Sequence, residues 1–250
     1  MDRINDLRAV ATNHAKSFLG YGNPNSNILI IGKECGFEVQ DSDPCEKEFY
    51  RITYLNNALS WRKFCAAPIE SSQIPDWKKT TQKEWESNFS PRFAFRGQFY
   101  TTQNVIGCTS KTWYMYQKLL DLHRGVSRFR GNWDPFGNRF KDNPDLLDFQ
   151  DLCFITEFNS HPMKRSHHSF EVKQSINTRI NGLFKESFFQ SFPLIIAASK
   201  GYVTRYQIDL RALFPNSRII VTNQLSIMPR KGYLEEIVDK IEGNEEFCIV

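Results

Sequence analysis

Cysteine is scattered rather than grouped. The six, Cys35, Cys45, Cys65, Cys108, Cys153 and Cys248, include no two at C-x-x-C spacing. Neither a zinc ribbon nor an iron–sulfur cluster is signalled. Cys153 lies in an apolar run, where a buried thiol is the ordinary role. A long hydrophobic run is also missing. No stretch approaches the roughly 18 apolar residues of a membrane helix. The opening MDRINDLRAV carries charge where a secretory leader needs an apolar core. A reduced, cytoplasmic chain is expected. Internal repeats and low-complexity segments are lacking, and nothing reads as a linker. One domain spanning residues 1–250 is expected, with an unassigned insertion around 66–108. A strong excess of one charge is lacking as well. The net charge of +4 permits a polyanionic partner without demanding one.

What is present is apolar and aromatic. Hydrophobic residues make up 40% of the chain and Phe occurs 21 times, enough for a sizeable core. Residues 2–20 have the apolar spacing of an amphipathic helix, ended by Gly20, Gly22, Asn23 and Pro24. A strand at 27–32 follows. Residues 45–65 read as a helix with Tyr50, Tyr54, Ala58 and Trp61 on one stripe. Residues 110–123 read as another, before a loop at 124–148 rich in Arg, Gly, Asn and Pro. From there strands alternate with helices: strands at 151–157, 193–198 and 217–222, helices near 170–189, 201–213 and 230–241. Such alternation implies an α/β fold, a parallel sheet covered on both faces.

In open α/β sheets, ligands bind beyond the carboxyl ends of the strands. Four such ends are legible: Gly32-Lys33-Glu34-Cys35-Gly36, Thr156-Glu157-Phe158-Asn159-Ser160-His161-Pro162, Ser199-Lys200-Gly201, and Thr222-Asn223-Gln224-Leu225-Ser226. All are polar, and two carry a glutamate.

These four ends, in this order, resemble the uracil-DNA glycosylase superfamily. The family's first motif is glycine, any residue, Asp or Asn, Pro, then Tyr or Gly. Gly32 to Gly36 has that frame, with Glu34 at the water-positioning place. The family's second strand ends in an Asn that pairs with the flipped base, and Glu157 stands there. Its last motif is His-Pro-Ser before a loop that wedges into DNA. Gln224-Leu225-Ser226 is similar, with Gln224 at the His place. The third strand, and Cys108 to Trp113 between the first two, are also similar to the family. The resemblance implies a three-layer α/β/α domain around a four-stranded parallel sheet, uracil-DNA glycosylase-like. It implies a DNA base-excision glycosylase that hydrolyses the N-glycosidic bond of a flipped, damaged or modified base. All three principal polar positions are substituted.

The residue types suggest what those substitutions do. Bond cleavage passes through a cationic sugar, which a carboxylate such as Glu34 stabilises while orienting water. An Asn offers a donor and an acceptor, matching uracil N3–H and O4, whereas an ionised Glu157 only accepts. It would repel O4 and favour an edge rich in N–H donors, so uracil is not the expected preference. A protonated Glu157 would regain a donor. Gln224 donates to a base oxygen but cannot carry a proton, which implies slow catalysis. Phe37, directly after the first motif, and Phe99 or Tyr100 are candidate stacking rings for the flipped base. Gly32 and Gly36 let backbone approach it. In the loop after the last strand, Leu225, Ile227 and Met228 suit insertion into a base stack, with Ser226 beside them on DNA and Arg230 and Lys231 on phosphates. The same residues could instead pack on the core. Lys164 and Arg165, and the basic and aromatic stretch His123 to Lys141, add cation and stacking surface. His167-His168 has no third ligand at metal spacing, so no metal site is expected.

A monomer that binds single- or double-stranded DNA, without cofactor or membrane, is the expectation. Two other classes stay open: a catalytically weakened nucleic-acid-binding relative, and a metal-dependent nuclease using Glu34 and Glu157. Paired carboxylates would also suit a hydrolase of free nucleosides.

Overall fold

Short runs of aliphatic and β-branched residues make one sheet. In the computed structural model, which describes residues 3–32, 50–70, 73, 87, 89–94, 111–126, 148–161, 169–225, 230–243 and 246–250, its strands are β1 (Tyr21–Gly22), β2 (Ile28–Gly32), β3 (Phe154–Glu157), β4 (Leu194–Ala197), β5 (Arg218–Val221) and β6 (Phe247–Ile249). Their order is β1-β3-β2-β4-β5-β6. β1 runs antiparallel to β3, and every other neighbouring pair is parallel. The sheet is therefore mixed and six-stranded, where four parallel strands were expected. The four expected strands are its middle. The additions are its two edges, of two and three residues, too short for any alternation to be read.

Among the described residues nine α-helices flank the sheet: α1 (Ile4–Asn13), α2 (Asn57–Ala66), α3 (Lys111–His123), α4 (Phe149–Leu152), α5 (Phe170–Asn181), α6 (Ser187–Gln190), α7 (Lys200–Arg205), α8 (Leu210–Leu213) and α9 (Tyr233–Glu242). Strand alternation divides the core. Leu29, Ile31, Phe154, Ile195, Ala197, Ile219 and Val221 join residues of α1, α2 and α5 on one face. Ile28, Ile30, Ile155, Ile196 and Ile220 join residues of α3 and α9 on the other. Strands buried on both faces need apolar residues at every position, which explains the unbroken Ile28-Leu29-Ile30-Ile31 run. The phenylalanines concentrate on the first face. Phe154 meets Phe188 edge-on at 5.1 Å, and Phe188 meets Phe189 at 5.0 Å, the arrangement that ring quadrupoles favour.

Several helices are shorter than their apolar spacing predicts. The first ends at Asn13 rather than near residue 20. The 45–65 helix is described from Tyr50, as a π-helical turn over Arg51–Leu55 followed by α2. That turn splits the aromatic stripe: Tyr54 enters the second core, while Ala58 and Trp61 enter the first. The 170–189 helix breaks at Gly182, and the 201–213 helix breaks around Gln207, whose φ is 52°. Of the 66–108 insertion, residues 66–70, 73, 87 and 89–94 are described, including a 3₁₀ turn at Pro91–Phe93.

Candidate functional site

The parallel register brings two of the expected positions side by side. Gly32 pairs with Glu157 at the carboxyl edge of β2 and β3. Ile31 and Thr156, one step back, are buried, whereas Gly32 and Glu157 are partly exposed. Alternation turns both toward the face covered by α3. There Tyr116 completes the group. Its Oη lies 3.5 Å, and Glu157 Cγ 3.8 Å, from the point that a Cβ on Gly32 would occupy. Both are ordinary contact distances, so the fold does not require glycine here for lack of room. Nor is Gly32 among the described glycines of positive φ, which are Gly20, Gly22, Gly125 and Gly232. Gly32 leaves a methyl-sized slot between a carboxylate and a phenol.

Tyr116 is 3% exposed. Burial, then the charge of Glu157, push its phenol well above the ordinary tyrosine range, so it stays protonated. This role is not legible in the sequence, because Met115, Tyr116, Leu119 and Leu120 form a common core stripe. Arg179 is the second unexpected participant. It lies on α5, buried at 4% exposure. Its Nε donates to the Glu157 carbonyl at 2.8 Å, Nη1 to the Phe18 carbonyl at 2.6 Å and Nη2 to Thr156 Oγ1 at 2.8 Å. Burial lowers its pKa to about 10, and Glu157 acts in the opposite direction. A signal for Arg179 existed: with Val172 and Ile176 it falls on the helix face that turns inward.

The third and fourth strand ends are tied to each other. The backbone N–H of Lys200 donates to the Thr222 carbonyl at 2.8 Å, and Ser199 Oγ reaches the Ile31 carbonyl at 3.5 Å. The Asn223 N–H donates to Tyr233 Oη at 2.8 Å, which fixes the last strand end to α9. Gln224 follows, half-buried.

Leu225, expected in the DNA wedge, is 1% exposed and belongs to the second core with Tyr233 and Leu234. The core takes this side chain because it continues the apolar face of β5 and α9. Arg230 and Lys231 are exposed. Arg230 Nη2 donates to both carboxylate oxygens of Glu236, at 2.7 and 2.6 Å, so a phosphate would have to compete with that pair. Arg124, from the basic stretch, is likewise engaged by Asp121 at 2.5 Å. Glu34, Gly36, Phe37, Lys164, Arg165, Ser226, Ile227 and Met228 lie outside the described residues, as do Phe99, Tyr100, His167 and His168.

Cys153 is buried, its Sγ 3.1 Å from the Phe149 carbonyl, and burial pushes its thiol pKa up. It is an inert core thiol. Among the described residues no group of three His, Cys, Asp or Glu could hold a metal ion, and no helix is long and apolar enough to cross a membrane. No protein-family model matches the chain, and no curated protein or solved structure matches it either.

Proposed function

We propose that the protein is a DNA base-excision glycosylase that hydrolyses the N-glycosidic bond of a flipped, damaged or modified base, with uracil not its preferred substrate. The observation that carries this reading is the in-register pair of Gly32 and Glu157 at the carboxyl edge of adjacent parallel strands, where an open α/β sheet binds its ligand. Glu34, two residues beyond Gly32, stabilises the sugar cation and orients the attacking water. Glu157 accepts hydrogen bonds from the base edge, beside the slot that Gly32 leaves open. Gln224 donates to a base oxygen as the bond breaks. Lacking a proton to give, it leaves the departing base less stabilised than a histidinium would.

A nucleic-acid-binding relative that no longer cleaves is the second reading, favoured by Gln224. A single-turnover assay separates the two. Labelled single- and double-stranded oligonucleotides each carry uracil, hypoxanthine, xanthine or a methylated base, with EDTA present and Glu34→Gln alongside. Abasic product that is lost in the variant supports the glycosylase. Salt-sensitive binding without product supports the binder, and product that requires a divalent ion would replace both with a metal-dependent nuclease.

A further inference from the structure

A buried tyrosine ordinarily hides its ring and gives its hydroxyl a partner. Tyr21 and Tyr233 follow the rule. Tyr21 Oη donates to the Thr53 carbonyl at 3.0 Å, and Tyr233 Oη accepts from the Asn223 N–H at 2.8 Å. Tyr116 is more buried than either, yet no hydrogen bond to its hydroxyl is made among the described residues. Its ring is held in the second core, edge-on to Phe149 at 6.4 Å. Its Oη comes within 3.5 Å of the point that a Cβ on Gly32 would occupy. The unpaired polar tip therefore ends at the slot, on the strand edge where Gly32 and Glu157 are partly exposed. We propose that Tyr116 is a base-reading residue. Its hydroxyl donates to the exocyclic oxygen of a 6-oxopurine, hypoxanthine or a guanine-type base, lodged at the Gly32 slot.

The chemistry follows from the missing partner. A buried donor left unpaired is costly, and a ligand that brings an acceptor removes that cost on binding. A phenol, with an ordinary pKa of about 10, keeps its proton at neutral pH, and burial strengthens its hold. The slot therefore presents a neutral donor, which a carbonyl oxygen satisfies. A 6-oxopurine shows O6 beside N1–H. With O6 on Tyr116, N1–H turns to Glu157, which borders the same slot. Uracil carries the same pair as O4 and N3–H, but it adds O2 beyond N3–H, next to the same carboxyl group. Hypoxanthine has C2–H there, and guanine has an amine that a carboxylate accepts. That the ligand is a base rests on the glycosylase reading; the unpaired hydroxyl at the slot does not.

The test is equilibrium binding of labelled oligonucleotides carrying one hypoxanthine or its 6-thio analogue, read by fluorescence anisotropy. A 2′-fluoro-arabino sugar at that position disfavours the cationic transition state and keeps the base attached. Sulfur in place of oxygen keeps N1–H and weakens the acceptor. The wild type is expected to bind the oxo form about fivefold more tightly than the thio form. Tyr116→Phe, which removes only the hydroxyl, is expected to lose most of that preference. A ratio that is the same in the wild type and Tyr116→Phe would overturn the proposal. If Tyr116→Phe does not fold, Gly32→Ala decides. Its methyl fills the slot, so it too should flatten the ratio, and an undiminished ratio overturns the proposal. Single-turnover excision of hypoxanthine from the ordinary deoxyribose, run alongside, tests the underlying reading. A ratio that depends on Tyr116, without excision, would support the base-reading residue and refute the glycosylase. Excision with a ratio indifferent to Tyr116 would do the reverse. Binding of neither oligonucleotide would overturn both.

Discussion

Gly32 gives the sharpest contrast at the scale of single residues. A Cβ there would meet its neighbours at ordinary distances. Gly32→Ala should therefore change stability by less than about 1 kcal/mol, with stabilisation the favoured sign. It should nonetheless weaken base binding, because the methyl fills the slot between Tyr116 and Glu157. Urea denaturation and a single-turnover assay on the same variant check both halves. An alanine variant of full activity would remove the slot from the site. Tyr116 makes a prediction about pH. Its folded pKa is raised above the ordinary value of 10.0, so its contribution to stability is complete below that value. It is lost as pH rises above it, when the unfolded chain releases a proton that the native state keeps. Tyr116→Phe abolishes this dependence. The wild type should lose stability relative to Tyr116→Phe between pH 9 and pH 11, with a limiting slope of about 1.4 kcal/mol per pH unit. Denaturant midpoints at the two pH values measure it.

Elements owe their ends to particular residues. Strand β1 exists because Gly20 and Gly22 take φ of +132° and +96°. A Cβ on Gly20 would also collide with the Ile155 carbonyl, and one on Gly22 with the Cys153 carbonyl. Gly20→Ala should cost more than ~2 kcal/mol, combining backbone strain with the clash, and a fall in urea midpoint several times that of Gly32→Ala would be the sign. Helix α5 begins at Ser169, whose side chain accepts from the Val172 N–H at 3.3 Å. Ser169→Ala should cost about 1 kcal/mol, seen as a drop in thermal midpoint. The four central strands were legible in the sequence because both their faces are apolar. Helix ends were not, where tertiary contacts cut a periodic run short. After α1 the chain runs on to Leu19 and Gly20, which Asn57 holds through bonds to the Leu19 N–H and the Gly20 carbonyl, and this overrides the helical spacing of Phe18 and Leu19. The candidate site was half legible. Glu157 and Gly32 stand out as polar and small residues ending apolar strands. Arg179 and Tyr116 come from helices distant in sequence, and only the register and packing bring them to the same edge.

At the scale of the whole molecule, the strand order decides how the chain must be assembled. Ile30 in β2 pairs with Ile155 on one side and Ile196 on the other. The first central strand to leave the ribosome therefore gains its second neighbour only when β4 is made. At about 5–20 residues per second, Ile28-Leu29-Ile30-Ile31 waits on the order of ten seconds for its second partner. Sheets dominated by such distant pairings also fold slowly once complete. Until β3 is made a bare apolar segment has two open edges, and one stays available to other chains until β4 covers it. Truncations ending before β4 should accumulate as aggregates, and the full chain should gain soluble yield from slower synthesis or added chaperone. Fractionation of a nested set of truncations would reveal a step in solubility only once β4 is included.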